Sequence, residues 1–143
     1  MYRLLNVLFS DGFHKRFAET GKQYTRAQLD AGEIGKSDTF WADVAEAYKQ
    51  EGDTTYGNLL FVGDEFEGID CTYILPHDAM KLRDIWKDVN ARFRKALGNF
   101  GLSGTHDSNF RNFCSKMDEY YLHLCVQMRP GIYSIYVFIF IHY

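Results

Sequence analysis

The sequence is short of several features that would settle its class. It has two prolines, Pro76 and Pro130, and each closes a stretch of the chain. It has three cysteines, Cys71, Cys114 and Cys125, an odd number with no CxxC pair. Neither a disulfide framework nor a cysteine-rich zinc module is written in such spacing. The first residues lack the apolar run ending in small residues that marks a secretory signal. Free thiols in a reducing compartment, cytosol or nucleus, are therefore expected. A large excess of one charge is missing too. The net charge of −3 excludes a protein that coats nucleic acid through bulk charge alone. The apolar tail, 131–143, falls short of the roughly 20 residues needed to span a bilayer, so no membrane association is expected.

Catalytic signatures are also missing. There is no GxSxG, no Walker loop and no HExxH. Gly98, Gly101 and Gly104 lack the GxGxxG spacing and follow a helical stretch, so they read as loop punctuation. No enzymatic activity, cofactor or small-molecule substrate is expected. His106, Cys114, His123 and Cys125 could be entertained as metal ligands. Only His123 and Cys125 are close, and residues two apart diverge on a helix. No metal is expected. The acids between 51 and 70 resemble a nuclease cluster, but no His or Lys accompanies them, and a solvated acidic loop accounts for them better.

What is present is a globular composition. Aromatic residues make up 17% of the 143 residues, enough rings to give one domain its own core. The pattern is mainly helical. Residues 2–20 read as one bent helix or two short ones, with Phe13 and Phe17 four apart on one face. Thr25 to Gln28 has a capping-box pattern, and Gly32 would end the short helix it opens. Ser37 or Asp38 would cap a helix over 39–50 that buries Phe40, Trp41, Val44, Ala45 and Tyr48, with Gly52 ending it. Residues 53–76 fit short strands, 3₁₀ turns or a packed loop. The strongest signal is a helix from about 77 to 99, where Leu82, Ile85, Trp86, Val89, Phe93 and Leu97 form one 3.6-period stripe. Gly98, Gly101 and Gly104 should break the chain after it. Thr105 or Asp107 would cap a shorter helix containing Phe110 and Phe113, and a last helix covers 117–128.

A single helical domain, 1–128, is expected, followed by a tail over 129–143. Residues 131–143 carry no Asp, Glu, Lys or Arg and are almost all Ile, Tyr, Phe and Val. Such a composition suggests translated intron or read-through sequence. Finding these codons in a spliced, mature transcript would exclude that origin.

Charge is unevenly placed. Residues 51–70 hold six acids and no Lys or Arg, while 77–100 hold six bases and three acids. The chain is locally dipolar, a basic helix beside an acidic connector. Within that helix Arg83, Lys87, Asn90 and Arg94 fall at spacings of 4, 3 and 4, a stripe beside the buried one. A solvated face looks the same, with Asp84 and Asp88 pairing Lys81, Lys87 or Arg92 three or four residues away.

Two helices carry a resemblance. Trp41 stands in Phe-Trp-Ala-Asp-Val-Ala-Glu-Ala-Tyr, and Trp86 in Lys-Leu-Arg-Asp-Ile-Trp-Lys-Asp-Val-Asn. With the Leu102-Ser103-Gly104 turn, these segments resemble the second and third helices of Myb/SANT-like domains of the trihelix, transposon-associated kind. The likeness covers about residues 2–128. The first helix has no Trp, so Phe9, Phe13 and Phe17 would serve in the core. The 44 residues between the two tryptophans exceed the length usual in compact members. The resemblance implies a three-helix core with extra C-terminal helices and an irregular acidic connector. It also implies a nuclear transcription regulator or transposon-derived protein that reads duplex DNA with the 77–99 helix. Arg83 and Asn90 would then reach guanine and adenine edges, and Lys81, Lys87 and Arg94 the phosphates. Alternatively, such a core binds a basic protein partner through the acidic segment, or the chain is a gene fragment without function.

Overall fold

The computed structural model describes residues 1–20, 35–51, 55–102 and 109–130. Over these residues the protein is mainly helical, with five α-helices, two 3₁₀ turns and no strand. The helices are α1 (Tyr2–Leu8), α2 (His14–Thr20), α3 (Gly35–Tyr48), α4 (Ala79–Leu102) and α5 (Met117–Met128). The 3₁₀ turns are Asp64–Phe66 and Phe110–Phe113. Among the described residues no helix is long and apolar enough to cross a membrane.

The longest helix organises the rest. The expected stripe on α4 does bury Leu82, Trp86, Val89 and Phe93, joined by Ala96, while Ile85 and Leu97 pack partly buried against them. This seam meets α3, α5 and the 110–113 turn. On α3 the buried face is the expected one, Phe40, Trp41, Val44, Ala45 and Tyr48, with Ala47 added. Phe17 from α2 wedges between the two helices. Its ring lies 4.8 Å from Trp86 and 5.9 Å from Phe40. Phe9 reaches Phe17 at 5.6 Å. Edge-to-face pairs at these separations add a few tenths to about 1.5 kcal/mol each beyond their burial.

Residues 2–20 form two short helices, one of the two expected forms, with a turn at 9–13 that Ser10 closes by donating to the Val7 carbonyl at 2.7 Å. Three expectations change. Helix α3 begins at Gly35, so Ser37 and Asp38 lie inside its first turns and not at its cap position, and it ends at Tyr48. Gly98 and Gly101 do not break the chain, because α4 runs through both to Leu102. A helical glycine costs only about 1 kcal/mol. Here Phe100 holds the last turns in place, packing on Phe110 at 5.8 Å and Phe113 at 5.5 Å. Finally, the 110–113 turn is 3₁₀ and is capped by Asn109, whose side chain accepts from the Arg111 N–H at 3.1 Å. The capping box at 25–28, Gly32, Gly52, Gly104, Thr105, Asp107, His106 and the 131–143 tail lie outside the described residues.

Among its described residues the connector between α3 and α4 has one 3₁₀ turn, so its other backbone groups must find partners elsewhere. Two polar residues buried on α1 supply them. Arg3 donates to the carbonyls of Tyr48 (2.9 Å), Gln50 (2.9 Å) and Cys71 (3.2 Å). Asn6 donates to the carbonyls of Tyr56 and Asn58, both at 3.0 Å. From α5, the Tyr121 hydroxyl donates to Asn6 Oδ1 and accepts from the Leu60 N–H at 2.9 Å. Phe66 closes the connector over α1 and α5, its ring 5.1 Å from Tyr121 and 6.1 Å from Tyr2.

Candidate nucleic-acid interface on the longest helix

Helix α4 starts where the sequence says a helix can start. Pro76 precedes it, and the Asp78 carboxylate accepts from the Lys81 N–H at 2.8 Å. That bond satisfies one open donor and places negative charge at the positive end of the helix.

The predicted contact residues divide into three groups. Lys81 and Lys87 are exposed. Arg83 and Arg94 are half-buried; burial lowers the Arg94 guanidinium from its ordinary value. Arg83 lies 3.8 Å from Asp38 on α3, a pair exposed enough to contribute little and to open readily. Asn90 is only 8% exposed. It follows Trp86 by four residues and precedes Phe93 by three, so the edge of the apolar seam takes it in. The structure therefore brings Arg83, Lys87 and Arg94 along one flank of the helix and leaves Asn90 in the packed interface. Lys95, outside the predicted set, is exposed as well.

Two acids share the open side of the helix: Asp84 is exposed, and Asp88 stays 69% exposed although paired. Asp88 is engaged by Arg92, which lies toward α5. Arg92 Nε donates to Asp88 at 3.1 Å, Nη1 to Asp118 at 2.8 Å and to Glu119 at 2.9 Å, and Nη2 to Asp118 at 2.9 Å. These carboxylates, Asp118 first, hold the guanidinium protonated well above its ordinary range. Glu119 also accepts from the Ser115 N–H at 2.9 Å and from its hydroxyl. Sequence reasoning saw Arg92 only as a surface partner of Asp88. Its periodicity offered a signal, since Arg92 adjoins the buried stripe.

The acidic connector has its own pairings. Glu65 meets Arg111 at 3.2 Å. Asp70 accepts from the Thr72 hydroxyl and from its N–H at 2.9 Å, and these bonds hold its carboxyl below the usual range. Asp64 and Glu67 are exposed. Among the described residues no three His, Cys, Asp or Glu side chains converge as metal ligands would. His123 stacks on Phe110 at 4.4 Å, and burial lowers its imidazole. All three cysteines are free. Burial pushes the Cys114 thiol up to about 11 and the Cys125 thiol higher still, so both are poor nucleophiles at neutral pH.

No protein-family model, curated protein or solved structure matches the chain.

Proposed function

We propose that this chain is a DNA-contacting domain that lays α4 against duplex DNA, in the manner of a nuclear transcription regulator or a transposon-derived protein. One observation carries the reading. Helix α4 leaves Lys81, Lys87 and Lys95 in solvent and Arg83 half so, while Asp88 is paired with Arg92. The burial of Trp86 against Phe17 and of Trp41 against Phe40 is compatible with the Myb/SANT-like resemblance and supports the same reading. Binding of mixed-sequence duplex at low salt tests it. The paired substitutions Arg83→Ala and Lys87→Ala should weaken binding several-fold without changing the helical circular dichroism. Absence of binding by the folded wild-type chain ends the proposal.

A second reading has its own support. The connector exposes Val62 (98%) and Tyr73 (69%) near exposed Asp64, Glu67 and Asp70. Apolar groups rimmed by acids suit a basic protein partner. Capture of basic peptides that is lost in Asp64→Asn/Glu67→Gln, and indifferent to Arg83 and Lys87, would favour this reading over DNA.

A further inference from the structure

The side chains able to read a base differ from those that α4 presents. Base edges are read best by planar groups that make two hydrogen bonds at once, an arginine on guanine or an amide on adenine. On α4 the amide is Asn90, and it is buried in the seam. The most firmly held fork is Arg92, committed to three carboxylates. Arg83 and Arg94 are half-buried on the flank, Arg83 facing Asp38. The fully exposed cations are all lysines: Lys81, Lys87 and Lys95. A lysine ammonium is a mobile point charge suited to a phosphate oxygen rather than to a base edge.

The spacing fits that chemistry. Lys87 and Lys95 are eight residues apart, about 12 Å along a helix rising 1.5 Å per residue. At about 100° per residue they also stand about 80° apart around the axis. A helix lying in the major groove therefore directs the two ammonium groups toward opposite phosphate walls.

We infer that α4 takes duplex DNA through its phosphates alone and does not read base sequence. The inference rests on the α4 reading above and fixes its ligand class as duplex of any sequence. Three phosphate contacts give a salt dependence of log K on log salt near −3, shallow beside that of strong sequence-specific binders.

The test uses the full chain and a randomised duplex pool. Bound and input duplexes are sequenced, and affinity is measured across a salt series. The expected result is no enriched motif and a slope of roughly −3. Lys87→Gln and Lys95→Gln, at exposed sites, should each lower the slope by about 1 for every sequence alike. An enriched motif that disappears in Arg83→Lys would overturn the inference while leaving DNA binding intact. Binding to no duplex at the lowest salt would overturn the α4 reading itself. Binding whose slope ignores both lysine variants would place the contact elsewhere on the molecule.

Discussion

Two parts of the molecule solve the same problem in opposite ways. In the seam between α4 and α5, the backbone is helical and satisfies itself, so buried polar side chains bond to one another. Arg92 there answers Asp118 and Glu119. In the junction between α1 and the connector, the backbone is irregular and cannot satisfy itself, so buried side chains bond to it. Arg3 there answers three carbonyls and lies over the face of Tyr48, 5.6 Å from the ring centre. A half-buried arginine in the first setting balances charge; a buried one in the second replaces missing secondary structure. The first should be costly to break globally and the second to break locally.

The largest effect is expected at Arg92. Arg92→Met leaves Asp118 without its arginine and the Glu119 side chain, 1% exposed, with its Ser115 bonds but no countercharge. Loss of one partner of a buried pair costs about 3–5 kcal/mol, visible as a lower denaturation midpoint of the whole chain. Arg3→Met should cost less, about 2–3 kcal/mol, because neutral carbonyls are left behind. Its signature is regional: amide exchange should accelerate over 55–72 more than within α4. Arg3→Lys should not restore protection, since one ammonium cannot span the three carbonyls as a planar fork does. Equal acceleration in both regions would erase the contrast.

Smaller effects sharpen the picture of the α4–α5 side. A Cβ at Gly98 meets nothing within 4 Å, so Gly98→Ala should stabilise by about 0.4–1 kcal/mol, read as a higher melting temperature. A lower one would mean that α4 ends where the glycines begin. Last comes pH. Burial holds the His123 imidazole below its ordinary value, so the unfolded chain binds the proton first as pH falls. The histidine contribution should be flat above about pH 7 and decline as pH drops through about 6.5, the free-imidazole value, toward the folded one. His123→Phe, which keeps a ring on Phe110, should make that decline shallower. Burial lowers His14 and His77 in the same direction, so part of the slope remains.

The sequence made the helices legible wherever periodicity outran punctuation. The stripe from Leu82 to Phe93 and the face from Phe40 to Tyr48 were readable because each is long enough to show a 3.6-residue period. Gly98 and Gly101 misled because propensity is local, whereas the rings of Phe110 and Phe113 that steady Phe100 come from later in the chain. Arg3 and Asn6 sit in an apolar run, and nothing near them in sequence announces carbonyl partners 45 to 68 residues away. At the candidate site the positions of Lys81, Arg83 and Lys87 were legible. The burial of Asn90 was not, although its spacing from Trp86, Phe93 and Leu97 was its one warning.

The bond between Tyr121 and Asn6 joins residues 115 apart. Helix α1 has seven residues, too few to persist alone in water. During synthesis it emerges well before α5, which makes part of its burial site. At about 5–20 residues per second, the apolar run from Leu4 to Phe9 waits roughly 6–23 s for that partner. Of the described helices, α1 thus waits longest for its last partner, exposed to chaperones and neighbouring chains.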